Sequence, residues 1–280
     1  MRRFSAVCIA ASALVTFAAM SPARALDPGS AEFAAGDFFA ARAAGREAGT
    51  GAGFALACQA GMVIGSYLET GEAAVSSLHG AIGDCARAIE MDSRRVDAFV
   101  NYAIAVAFEA KRLNSRQFAA AARCLMEDAV ARFPQSGFAH AALAGWHGSV
   151  SDQGFFARTV LGGSRDDAER EFDEALRLEP GNFAVNYQHL RFLAAGGKKD
   201  RANAATIAAH LVREVSPKDK FEELLRERAG VIEAALAKGE LSASEALKAT
   251  EPFYMIDKAR SDGPFEPPYL TRFPDPQPSE

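Results

Sequence analysis

At 280 residues, with 49% hydrophobic and 24% charged residues, the chain carries enough apolar material for a sizeable core in one or two domains, which excludes wholesale disorder. Its net charge is −5. The first 25 residues supply Arg2, Arg3 and Arg24 and no acid, leaving −8 on the rest; that balance argues against nucleic acid or an anionic membrane as the main partner.

In chain order, the first predicted element is a secretory signal peptide over residues 1–25. Two arginines precede an apolar run from Ala6 to Met20, and Ala23-Arg24-Ala25 supplies the small-x-small cleavage signal. Cleavage after Ala25 predicts a periplasmic or secreted protein with no membrane insertion of the mature chain. The mature domain then spans 26–250, followed by a separate tail over 251–280. Abundant alanine and few β-branched runs make that domain all-α.

A leading helix is expected over 31–44, with Phe33, Phe38 and Phe39 seeking cover, and the glycine-rich stretch 49–53 reads as a hinge. Four helical pairs follow. Their first helices fall at 54–67, 96–111, 138–147 and 183–193. Their second helices carry a small, large, small triad on one face: Ala81, Cys85, Ala88; Ala122, Met126, Ala129; Ala168, Phe172, Ala175; Ala202, Thr206, Ala209. Pro134 and Pro180 close the second and third pairs at the same interval, whereas Ser93 stands there in the first and Pro217 comes late in the fourth. Between 149 and 164 lies an insertion with Phe155, Phe156, Val160 and Leu161. Residues 218–238 form an amphipathic helix, with a stripe of Phe221, Leu224, Leu225, Ala229, Ile232 and Leu236, that would cap the open end of the stack. From Pro264 onward the tail holds six of the twelve prolines and reads as extended or disordered, yet Phe265, Tyr269 and Phe273 recur every four residues, which predicts that it lies against the body.

The triads and their prolines resemble the second half of the tetratricopeptide repeat. Spacings of 41, 46 and 34 between Ala88, Ala129, Ala175 and Ala209 make the array irregular. The resemblance implies a solenoid of about four tetratricopeptide-like hairpins. Within that set, the run from His140 through the Gly162–Asn182 block to Ala229 is similar to two groups: the periplasmic T component of tripartite substrate-importing transporters, and the repeat domain of the regulator-of-microtubule-dynamics family. Such families imply scaffolding and binding without shared chemistry.

The side chains offer no competing constellation. His79, His140, His147, His189 and His210 lack metal-ligand spacing, no nucleophile elbow occurs, and the glycines at 49–53 lack a phosphate loop's lysine. No enzyme activity, metal or cofactor is expected. The expected function is an adaptor that binds a protein or peptide partner in a concave groove lined by first helices, through Asn101, His140, Trp146, His147, Tyr187 and Arg191; a transporter binding protein is one such partner. The alternative is a small-ligand carrier or accessory subunit of a tripartite transporter, with the 149–164 insertion closing a pocket. Finally, Cys58 and Cys85 fall on the two helices of the first pair, facing one another, and are predicted to form a disulfide; Cys124, in the next repeat, points elsewhere.

Overall fold

The computed structural model describes residues 27–152, 159–259, 265, 267–270 and 272–274. The predicted signal peptide and its cleavage site lie outside the described residues. Within them every regular element is helical and no strand occurs.

The expected leading helix is two helices, α1 (Ser30–Ala35) and α2 (Phe38–Ala48). Gly36 takes a left-handed conformation (φ 86°) that ends α1, and the Asp37 carboxylate caps α2 by accepting from the Ala40 N–H at 3.0 Å. Both signals were in the sequence, and the apolar run across them masked the break. A similar device makes the glycine-rich turn: Gly49 is left-handed (φ 63°), and Thr50 Oγ1 accepts from the Gly53 N–H at 3.1 Å.

α3 (Gly51–Val63) continues into a π-helical turn, Ile64–Leu68. The stretch Gly51–Leu68 is long and apolar enough to cross a membrane by length and composition, and 61% of it is buried in this fold. Its neighbours are α2 on one side and α4 (Gly71–Met91) on the other. At the α2–α3 crossing, a methyl on Gly45 would run into the Gly53 carbonyl, and one on Gly53 into that of Gly45. The two backbones therefore touch. Gly53→Val is expected to destabilise the protein by about 2 to 3 kcal/mol through forced separation of the helices, read as a lowered urea midpoint; an unchanged midpoint would contradict this packing.

There follow α5 (Val96–Leu113), α6 (Arg116–Arg132), α7 (Gly137–Asp152), α8 (Arg165–Leu178), α9 (Phe183–Ala194), α10 (Lys198–Arg213), α11 (Lys220–Leu236) and α12 (Glu240–Ala249). Helices pack in consecutive pairs: α3 with α4, α5 with α6, α7 with α8, α9 with α10 and α11 with α12. The first helices also touch in series, α3 to α5, α5 to α7, α7 to α9 and α9 to α11. Three of the four sequence triads are buried as their spacing demands, Ala168, Phe172 and Ala175 completely. The fourth register is corrected. Ala202 and Thr206 are exposed, and α10 buries Ala204, Ala208 and Leu211 in their place, the same four-and-three spacing moved two residues along. In a segment this rich in alanine the small residues fit several registers, and Leu211 is the side chain that selects one.

Two large apolar clusters form the core, one from α3 to α7 and one from α7 to α11, with a small third cluster beneath α1 and α2. Tyr67 and Phe221 belong to the last two at once. Phe221 of α11 packs on Phe33 of α1, ring centroids 6.2 Å apart, and Arg228 of α11 lies over the Tyr67 ring at 4.4 Å. Hence α11 meets α1, where the sequence suggested only that it would cover an open end. A disulfide joins Cys58 and Cys85, with Cα atoms 5.1 Å apart, and Cys124 is an exposed free thiol. Of the insertion, α7 takes residues up to Asp152 and Leu161 packs on the core, while 153–158 lie outside the described residues.

Candidate functional site

On α5, Phe99, Tyr102, Val106 and Glu109 follow one another at intervals of three and four residues and so share a face. All four are buried. α4 and α6 both pack against α5, and the residues they present beside that face are polar: His79 and Glu90 from α4, Asp128 and Arg132 from α6. These helices make a cleft with an aromatic floor and charged walls.

The chain's own C-terminal segment fills it, running antiparallel to α5. Phe253 enters first. It is fully buried, its ring 4.6 Å from that of Phe108 and against Gly65, and its N–H donates to the Ser66 carbonyl of the π turn at 3.1 Å. Phe253 and Met255 have φ of 51° and 57°, a conformation costly for side chains of this size and maintained here by the burial of Phe253 and Ile256.

Farther along, three aromatic residues repeat one arrangement. The Phe265 ring stacks on the His79 imidazole at 4.5 Å, and its N–H donates to Glu109 Oε1 at 3.2 Å. Tyr269 lies on Tyr102, its N–H donating to the Tyr102 hydroxyl at 2.8 Å and its own hydroxyl to Glu90 at 3.2 Å. Phe273 is 2% exposed; its ring meets Phe99 at 4.5 Å and its N–H donates to Asp128 Oδ2 at 3.3 Å. Arg132 closes the end by donating to the Phe273 and Pro274 carbonyls at 3.3 and 2.8 Å. In each case an aromatic ring packs on the cleft, Phe273 fully buried and Phe265 and Tyr269 partly so, and the same residue's backbone N–H is taken by a side chain of the cleft.

Beneath Phe265 sits a wholly buried ion pair. Glu109 accepts from Arg112 Nε and Nη2 at 2.8 and 2.6 Å, faces His79 Nε2 at 3.0 Å, and both Glu109 and Arg112 side chains are 0% exposed. Burial alone would push the Glu109 carboxyl upward, but hydrogen bonds from Arg112 and His79, with the Phe265 N–H, hold it at about 2. Burial raises the Tyr102 phenol, and raises that of Tyr269 to about 12 with help from Glu90.

These shifts fix an acid limit. Glu109 falls from 4.5 to about 2 on folding, so the unfolded chain binds its proton first and about 3 kcal/mol of stability is lost as pH drops through that window. His147 and His189 are lowered from 6.5 by burial, so their contribution is complete above pH 6.5 and declines below it. Urea unfolding is therefore expected to give a free energy falling from pH 7 to 5 and falling more steeply toward pH 3; a flat profile would contradict the buried carboxylate.

The six residues expected to line a groove lie elsewhere. Asn101 is buried on α5. His140 pairs with Glu171 of α8 at 2.7 Å. Trp146 is buried, donating from Nε1 to the Ala119 carbonyl at 3.2 Å under the guanidinium of Arg123, and its neighbour His147 accepts from the Ser164 N–H. Tyr187 is fully buried with its hydroxyl unpartnered, and Arg191 beside it donates to Thr250 and to the Leu247 carbonyl. The fold brings Trp146 to His147 and Tyr187 to Arg191, and spends them on joining α7 to α6 and α8, and α9 to α12.

The cleft residues His79, Glu90, Tyr102, Glu109, Arg112, Asp128 and Arg132 were not singled out in the sequence. The periodic aromatics of the tail were the available signal, and nothing local says which helices they meet. Among the described residues no three His, Cys, Asp or Glu side chains gather as a metal site. Two shallow surface hollows are prominent, one beside Tyr254 and Met255 and one between α10 and α11. Comparison of the chain with protein-family models, with curated proteins and with solved structures gave no match.

Proposed function

We propose that this chain is a non-enzymatic adaptor, periplasmic or secreted, whose irregular tetratricopeptide-like hairpins hold an extended peptide in the cleft over α5. The paired packing of helices and the serial contact of first helices support the solenoid reading. The amino-terminal layout of residues 1–25 supports export, and a disulfide is compatible with an oxidising compartment. The observation that carries the binding role is the capture of main-chain N–H groups at Phe265, Tyr269 and Phe273 by the side chains of Glu109, Tyr102 and Asp128. Side chains that bind another segment's backbone recognise an extended peptide as such, while the aromatic seats supply selectivity.

A labelled peptide with the sequence of residues 264–276 tests this. It should bind saturably to protein carrying Phe265→Ala and Phe273→Ala, in which the resident segment is weakened. Tyr102→Phe in the same background should lower affinity about fivefold by removing one hydrogen bond. A folded double variant that does not bind the peptide would refute the reading.

A further inference from the structure

Resting on that reading, we propose that segment 265–274 is an internal stand-in, and that its place is taken by an extended, proline-rich segment of a partner protein with three aromatic residues spaced four apart. Each of those aromatics must keep its own backbone N–H, since Glu109, Tyr102 and Asp128 each accept one. Proline is therefore excluded at the aromatic positions. It is favoured between them, as at Pro267 and Pro268, because it pre-extends the chain at no cost in donors. The last aromatic and the residue after it must present carbonyls to Arg132.

Handover, and not simple release, follows from what lies beneath. Phe99, Tyr102, Val106 and Phe273 belong to one apolar cluster, so an empty cleft would expose a contiguous aromatic strip of the kind soluble proteins avoid. The tether gives the resident segment an effective concentration on the order of millimolar, and a competitor's apparent affinity falls by the fraction of time the cleft is free. The resident segment thereby filters ligands: two aromatics in register do not displace three. The walls add a charge preference. Glu90 lies at the middle aromatic and Asp128 at the last, with Arg132 beside it, so a basic residue between those two aromatics suits them.

The test uses full-length protein and an unrelated peptide, Phe-Ser-Pro-Ser-Tyr-Ser-Pro-Ser-Phe-Pro, beside a control with the aromatics three apart. The expected result is binding to the Phe265→Ala, Phe273→Ala variant at least tenfold tighter than to the wild type, and at least tenfold tighter than the control. Phe273→Leu, which keeps an apolar side chain in place, should give an intermediate affinity. Equal affinity of wild type and variant would overturn the handover while leaving peptide binding intact; equal affinity of the two peptides would overturn the spacing rule. A concentration-dependent dimer of the wild type, abolished by the tail substitutions, would make the occupant a second copy of this chain and overturn the partner.

Discussion

Arg112→Ala is expected to cost about 3 to 5 kcal/mol of folding stability. Removing the guanidinium leaves the Glu109 carboxylate buried with only His79 and the Phe265 N–H facing it, and takes from the Ala259 carbonyl the contact that Arg112 makes at 3.5 Å. Most of the loss belongs to the stranded charge. The double change Glu109→Leu, Arg112→Met should therefore be much less destabilising than Arg112→Ala alone. Urea unfolding of the wild type, both single variants and the double variant distinguishes these cases. A double variant as unstable as the sum of the singles would show no coupling between the two side chains and would contradict the stranded charge as the source of the loss. The double variant should also weaken the seat of Phe265, because its amide loses its acceptor.

The second large effect belongs to the disulfide. Cys58 and Cys85 close a loop with a separation of 27 residues, worth about 3 to 4 kcal/mol on the chain-entropy account. For a domain of this size, reduction or Cys58→Ser, Cys85→Ser is expected to lower the midpoint by about 10 °C. The bond ties together a helix pair whose repeat pattern departs from the consensus, with Ser93 in the proline position. Thiol counting on material that begins after Ala25 should find a single reactive cysteine, Cys124, which is exposed; three would remove the bridge and the stability assigned to it.

Helix pairing was legible in the sequence because the triads encode it locally: a small residue where helices cross closely, a large one where the cavity must be filled. Ala168, Phe172 and Ala175 are buried for that reason. The fourth triad was misplaced because alanines at 202, 204, 205, 208 and 209 satisfy the pattern almost equally, and the decision rested on Leu211. The site was less legible. Trp146, Tyr187 and Arg191 have the chemistry of a binding surface, but an aromatic ring or a guanidinium joins helices as readily as it holds a guest. Which role it plays depends on neighbours distant in sequence, such as Ala119 for Trp146 and Thr250 for Arg191. The contact of α1 with α11 was invisible for the same reason, since it depends on the accumulated turn of the whole array. By contrast the period of Phe265, Tyr269 and Phe273 was plain, and only their hosts were hidden. His79, Tyr102 and Asp128 are spread over three helices and share no motif.

The capture of main-chain N–H groups at four-residue intervals is the centre of this account, and amide hydrogen exchange observes it directly. In the full-length protein at neutral pH, the amides of Phe265, Tyr269 and Phe273 should exchange at least a hundredfold more slowly than in the free peptide of the same sequence, on the general rule that protection follows burial and hydrogen bonding. Tyr102→Phe should release Tyr269 in particular. Exchange of all three at free-peptide rates would mean that the cleft does not hold the segment, and both the binding role and the handover would fall with it.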